Sequence, residues 1–138
     1  IVEAAAPGIE VECSVLGELP PLASRPGEIA LHSDIYDYAA KYEPGGMELV
    51  VPARITPAAL GAVRRIAITV FELCRCADLA RVDFFVDGDN VLLNELNTMP
   101  GFTPTSVYAK LWEYDGIEYP LLVDQLCRLA LARRGREI

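Results

Sequence analysis

The stretch "ARVDFFVDGDNVLLNELN", residues 80–97, decides the fold. Two runs rich in β-branched, aromatic and aliphatic residues flank Asp87-Gly88-Asp89-Asn90, the signature of a β-hairpin. Along the first run Arg81, Asp83 and Phe85 share a face, with Val82, Phe84 and Val86 on the other. Along the second, Val91, Leu93, Glu95 and Asn97 share a face opposite Leu92, Asn94 and Leu96. Both faces are apolar near the turn, which predicts a hairpin covered on both sides. A two- or four-residue turn would set Asp83 against Asn94. A three-residue loop, Gly88-Asp89-Asn90, sets Asp83 against Glu95 and Arg81 against Asn97, with Asn90 supplying the left-handed residue. That second register is the one expected.

This register gathers two carboxylates, an amide and a guanidinium at one end of a mostly apolar sheet. Facing carboxylates repel and lose hydration unless a cation lies between them. Arg81 supplies part of that charge. Oxygen donors without His or Cys suit a hard cation, above all Mg²⁺. An internal Arg–carboxylate network at the end of a sheet accounts for the same residues, and spacing does not separate the two readings.

Working outward, "IEVECSVLGELP" alternates as a strand, with Ile9, Val11, Cys13 and Val15 on one side and Glu10 and Glu12 on the other. Residues 20–48, rich in Gly, Pro, Ser and Tyr, read as a long functional loop. "ELVVPARI" reads as a short strand. "TPAALGAVRRIAITVFELC" predicts a helix capped by Thr56 with Pro57 in its first turn, and with Leu60, Val63, Ile66 (with Ala67) and Val70 at helical spacing. A short helix is expected over "SVYAKLWEY", ending at Asp115-Gly116. A last one is expected from Pro120 through "LLVDQLCRLALARR", with basic residues in its final turn and Gly135 after it. There is no repeat, no low-complexity linker and no regular βαβ rhythm, so the fold class is α+β.

A chain of 138 residues suffices for one compact domain with a core. Hydrophobic residues make up 52% and charged residues 23%, a globular composition without a run of about 20 apolar residues. The start, "IVEAAAPGIEVEC", lacks a basic, then long apolar leader and has no Met, which suggests a chain that begins inside a larger protein. A net charge of −8 and no basic stretch argue against nucleic acid as a partner. An anionic small ligand then needs a bridging cation or a few placed basic groups. Cys13, Cys74, Cys76 and Cys127 are scattered, three of them in apolar contexts expected to be buried. "ELCRCAD" has no zinc spacing and His32 is the sole histidine, so reduced thiols in a cytosolic protein are expected.

"LARVDFF" followed by "LNELNTMPGFTPTS", with "YDYAAKY", "VEAAAPGIE" and "YPLLVDQL", closely resembles the D-alanine–D-alanine ligases of the ATP-grasp superfamily. The resemblance covers the whole chain and only the C-terminal part of such a ligase. It implies an ATP-grasp portion with a mixed or antiparallel sheet and flanking helices. An Asp plus Glu-x-Asn pattern is shared by ATP-grasp enzymes in general; "NTMPGFT" and "YDYxxKY" are more specific to this family. It also implies that Asp83, Glu95 and Asn97 bind two Mg²⁺ ions (Mn²⁺ as a substitute) bridging the ATP phosphates, with Glu95 shared. The implied reaction joins two D-alanines for peptidoglycan precursors through an acyl phosphate, in the cytoplasm.

Residue by residue, Arg81 and the Gly101 N–H correspond to oxyanion stabilisers, and Ser106 with the Val107 N–H to the group holding the second D-alanine carboxylate. N-capping by Ser106 and a turn at Gly101 are the simpler readings. Lys41 corresponds to a loop lysine reaching the transferring phosphate. Tyr42 corresponds to a tyrosine closing over the second substrate, and Tyr38 to a supporting residue. The intact "KY" favours an amine nucleophile over the hydroxyl of D-lactate. Glu3 and the backbone of Ala4 and Ala6 correspond to the adenine hinge, and Glu10 to the ribose acid. The family often has an acidic residue where Ala39 stands, and larger residues at "AAA". By the same resemblance the N-terminal domain and first half of the ATP-grasp fold are partners not contained in these residues; the lack of a long apolar run leads to the expectation that membrane is not a partner. A homodimer stays open. A fragment that binds nucleotide without turnover, or an ATP-grasp ligase for another substrate, are the competing readings.

Overall fold

The computed structural model describes residues 2, 4–17, 20–31 and 47–135. Lys41, Tyr42, Tyr38 and Glu3 therefore lie outside the described residues. The elements in chain order are β1 (Ile9–Gly17), β2 (Leu22–Ala23), β3 (Gly27–Leu31), β4 (Met47–Val50), α1 (Pro57–Leu73), β5 (Asp78–Asp87), β6 (Asn90–Asn97), α2 (Val107–Tyr114) and α3 (Tyr119–Arg134). The strands form one antiparallel sheet in the order β4-β3-β1-β5-β6, with β2 beside β1. The architecture is the expected α+β, and the helices form where expected. Thr56 accepts a hydrogen bond from the Ala59 N–H, with Pro57 at the first turn of α1. Gly116, at φ +88, follows the end of α2, and Arg133 and Arg134 occupy the last turn of α3.

β1 and β5 pair along nine residues in the middle of the sheet. Helix α1 lays Ala59, Val63, Ala67 and Phe71 on one face of that pair; Val63 and Ala67 belong to the row read from the sequence, and Leu60 and Ile66 of that row pack at its margin, half-buried. They meet Val11, Cys13 and Val15 of β1 and Val82, Phe84 and Val86 of β5, all buried. On the other face, α2 and α3 cover only the end near Leu16 and Leu79, through Tyr108, Ala109, Trp112 and Leu122. Tyr108 fastens α2 to β1 in both directions: its hydroxyl donates to the Val15 carbonyl at 3.0 Å, and its carbonyl accepts from Ser14 Oγ at 3.2 Å.

Four local expectations are corrected. Residues 20–31 are not loop: β2 and β3 run there, with Ala23, Ser24, Pro26, Gly27 and Glu28 buried. A Cβ on Gly27 would come within 2.6 Å of Leu111, so the small residue lets α2 approach the sheet. Glu28 is bound by the backbone and guanidinium of Arg54, and these bonds outweigh the opposing effect of burial and hold its carboxyl below the usual range. Composition concealed these strands because Gly and Pro there serve close packing. The hairpin is also not covered on both sides: β6 is a sheet edge, and Leu92 and Leu93 are exposed among the described residues. Of the cysteines only Cys13 is buried, whereas Cys74, at the C-terminal end of α1, and Cys127, midway along α3, are exposed.

The fourth correction concerns the turn. Asp87 pairs with Asn90 across a two-residue turn, Gly88-Asp89, and the positive φ belongs to Gly88 (+59), not Asn90. The expected pairs Asp83–Glu95 and Arg81–Asn97 nevertheless form. They arise from a β-bulge: Phe84 pairs with Leu93 while Asp83 pairs with Glu95, leaving Asn94 as the extra residue. The bulge also separates Glu95 and Asn97 from the row of Val91 and Leu93. Val91 and Leu96 pack on the α1 core, while Glu95 and Asn97 point with Asp83 to the other side.

Candidate functional site

The face of the sheet that α2 and α3 leave open is built from alternate residues of three strands. In register across it lie Glu10 beside Phe85, Glu12 beside Asp83, and Ser14 beside Arg81. Glu95 and Asn97 continue the rows on β6. Asp83 is 2% exposed, a buried carboxylate in the middle strand. Arg81 grips it with two bonds, Nε to Oδ1 at 2.8 Å and a terminal nitrogen to Oδ2 at 2.7 Å. Asn97 Nδ2 donates both to Asp83 Oδ2 and to Glu95 Oε1, each at 2.9 Å. From β1, Glu12 Oε2 lies 2.9 Å from Arg81 Nε. The single hydrogen of Nε points to Asp83, so the Glu12 contact is a charge pair and not a second hydrogen bond. Burial pulls the Arg81 pKa down, but the bonds to Asp83 and the charges of Glu12, Asp83 and Glu95 outweigh it and hold the guanidinium above its ordinary value.

Two carboxylates thus flank one guanidinium, and a third, Glu95, acts on it through charge. Among the described residues no three of His, Cys, Asp and Glu cluster as metal ligands; the candidate set is Asp83, Glu95 and the amide of Asn97. These residues fit a hard divalent ion. Two carboxylate oxygens from adjacent strands already converge within 2.9 Å of one atom, the positive end of the Asn97 amide dipole. For Asn97 to offer its oxygen, the amide turns over about its last side-chain torsion, a soft motion needing no backbone shift.

Downstream of β6 the chain crosses "TMPGFTPT" to α2. Gly101 is exposed, and a Cβ there would come within 3.2 Å of Ser106 Oγ, so a larger residue would crowd that hydroxyl. Ser106 occupies the N-cap position of α2 but does not cap it. Its Oγ instead accepts from the Thr103 N–H at 3.0 Å and bonds Thr103 Oγ1 at 2.8 Å. The simple capping reading of Ser106 is therefore corrected, and Val107 begins the helix without a side-chain acceptor on its first turn. Ala4 and Ala6 lie in the irregular segment ahead of β1, joined to it at Gly8, whose φ of +97 and close approach to the Val86 carbonyl exclude a side chain. Glu10 is half-buried in the same row as Glu12. An apolar recess lined by Leu16, Leu22, Gln125 and Leu129 lies at the far end of β1, away from this polar cluster.

The structure therefore brings together Arg81, Asp83, Glu95 and Asn97, and separately Gly101, Ser106 and Val107. Sequence reasoning missed Glu12, which it placed opposite the apolar row of β1 without a role; the residue is 6% exposed. The signal lay in its own row, where Ser14 and Leu16 follow at the same spacing and break the polar pattern. Tyr108 was also missed, inside a short helix read without assigning its residues to the core.

Residues 1–128 match the family described as D-ala D-ala ligase C-terminus. The chain is 46% identical over 134 residues to a D-alanine–D-alanine ligase of Geobacillus kaustophilus, covering 96% of this chain and 36% of that protein. Its fold superposes on the D-alanine–D-alanine ligase from Coxiella burnetii with a TM-score of 0.83 at 38% identity, over 98% of this chain and 35% of that one. A D-alanine–D-alanine ligase from Bacillus anthracis, solved in complex with ATP, matches at a TM-score of 0.76 and 25% identity, over 97% of this chain and 42% of that one. The chain spans little more than a third of these relatives. Sequence match, sheet and flanking helices agree, and the chain belongs to the D-alanine–D-alanine ligase C-terminal family, with the ATP-grasp fold of those ligases.

Proposed function

We propose that the chain forms one wall of the catalytic centre of an ATP-dependent D-alanine–D-alanine ligase. The observation that carries this reading is the convergence of Asp83, Glu95, Asn97 and Arg81 on the open face of the sheet. In the reaction, a carboxylate oxygen of the first D-alanine attacks the γ-phosphorus of ATP, and ADP leaves. The amine of the second D-alanine then attacks the acyl phosphate carbonyl, loses a proton, and expels phosphate. Asp83, Glu95 and Asn97 would hold Mg²⁺ or Mn²⁺, which when bound neutralises the phosphates and stabilises developing charge.

The chain's own groups do the rest. Arg81, fixed at two points, faces anionic oxygens with a charge that does not titrate away. The Gly101 N–H adds a backbone donor where no side chain obstructs. Ser106 and the Val107 N–H, at the start of α2, suit the second D-alanine carboxylate. Glu10 suits the ribose hydroxyls, and the backbone at Glu3, Ala4 and Ala6 the adenine edge. Lys41, Tyr42 and Tyr38 complete the site by their correspondence to the family's loop. The product places the enzyme in the cytoplasm, supplying peptidoglycan precursors; a homodimer is a compatible assembly.

D-alanine-dependent ADP release from Mg·ATP by the full-length ligase containing this chain tests the reading. Glu95→Ala is expected to lower turnover by at least about 100–1000-fold, because removing one preorganised charge-stabilising group costs that much. Near-normal turnover would sink the assignment. The span of about a third of the relatives favours a further expectation, that this chain alone binds Mg·ATP without turnover.

A further inference from the structure

The ligase reading accounts for Asp83, Glu95, Asn97 and Arg81 but leaves Glu12 without a task. Its position is costly. A carboxylate 6% exposed on the central strand, directly beside Asp83 in the register, adds negative charge where two other carboxylates already converge. Plain packing would favour a neutral residue there, as Ser14 is two positions on.

Arg81 explains the expense. Its guanidinium sits between two carboxylates from neighbouring strands: Asp83 on its own strand and Glu12 on β1. Both Asp83 oxygens are engaged by Arg81. A divalent cation taking an Asp83 oxygen competes with Arg81 for that oxygen and repels the guanidinium as a like charge. Held by Asp83 alone, Arg81 would swing outward as the cation entered. Glu12 belongs to a different strand, is not in the candidate ligand set, and keeps its hold when Asp83 changes partners. We propose that Glu12 is a positioning residue: it retains the Arg81 guanidinium in the site when Asp83 turns to a cation, so that one buried aspartate serves both. The inference rests on the ligase reading of this cluster.

The test uses the full-length ligase containing this chain, with Glu12→Gln, Glu12→Asp, Arg81→Lys and the Glu12→Gln/Arg81→Lys pair. Glu12→Gln is expected to lower kcat and kcat/KM for D-alanine together by about 10–100-fold, the usual cost of removing a partner that orients a site group. Glu12→Asp, which keeps the charge, regains part of that loss. In the Arg81→Lys background the further loss from Glu12→Gln shrinks to about twofold or less, because the residue acts through Arg81. A merely structural role would give the same fold-loss in both backgrounds. Binding is read separately by electron paramagnetic resonance of Mn²⁺. Glu12→Gln is expected to weaken Mn²⁺ about tenfold, since a guanidinium left with Asp83 as its one carboxylate contact competes harder for the Asp83 oxygens, and Asp83→Asn to weaken it more. Unchanged turnover in Glu12→Gln, or full multiplicative loss in the Arg81→Lys background, overturns the inference alone. Mn²⁺ binding indifferent to Asp83→Asn overturns the ligase reading of the cluster, and the inference with it.

Discussion

The two faces of the central strands are made by the same residues taken alternately, and they obey opposite rules. Val11, Val82 and Leu96 face α1 in a cluster of aliphatic and aromatic side chains. Their immediate neighbours Glu12, Asp83 and Asn97 face away from α1 in a cluster of charges and amide dipoles. On the first face each group adds stability by leaving water. On the second, buried carboxylates give little or negative return in stability and are tolerated for what they can bind. The difference teaches where the fold and the chemistry reside: in one sheet, a side chain apart.

Changes on each face should therefore separate stability from activity. The largest effect on stability is expected for Phe84→Ala, which leaves a cavity under α1 and should cost about 3–5 kcal/mol in chemical denaturation. A loss below about 1 kcal/mol would break the division of labour. Glu95→Gln should do the reverse: the Glu95→Ala scale of lost turnover, with a stability in denaturation shifted by no more than about 0.5 kcal/mol, because the side chain is exposed. Tyr108→Phe tests the seam between fold and site. Removing the hydroxyl leaves the Val15 carbonyl without that donor and should cost about 1–2 kcal/mol. It should also raise the KM for D-alanine, by loosening the α2 start that carries Ser106 and Val107.

The smallest effect concerns thiols. Burial pushes the Cys13 thiol up to about 12 from an ordinary 9.0. The unfolded thiol ionises first, so Cys13 contributes stability that is complete below about pH 9 and is lost as pH rises toward 12. At neutral pH, a thiol reagent should modify Cys74 and Cys127 quickly and Cys13 only at the rate of unfolding. Fast labelling of Cys13 would contradict the packing of β1 under α1.

Much of this was legible in residue order. The helices at residues 57–73, 107–114 and 119–134 carry caps, breakers and periodicity that act within a few residues, so local physics sufficed. The partnership of Asp83 with Glu95 was also legible, but its cause was not. A three-residue loop and a two-residue turn with a bulge at Asn94 yield the same pairs. Only a bulge turns Glu95 and Asn97 away from Val91 and Leu93, and no local signal distinguishes Asn94 from an ordinary strand residue. β2 and β3 were hidden because Gly27 serves close contact with Leu111 of α2 and the Pro26 carbonyl accepts from the Ala53 N–H, partners that lie far along the chain.

Residue order carried the three helices, the β5–β6 hairpin, the α+β class, the family motifs and the identity of the chemical groups. Each follows from side-chain chemistry and from interactions spanning a few residues. Tertiary structure alone decided which carboxylates are buried and what each one touches. Glu12 and Glu10 stand two apart on one strand and look alike in sequence, yet Glu12 is held against Arg81 from a strand nearly seventy residues downstream. That contact depends on β1 lying between β3 and β5, and strand order is set by how whole faces pack, not by any short stretch of residues.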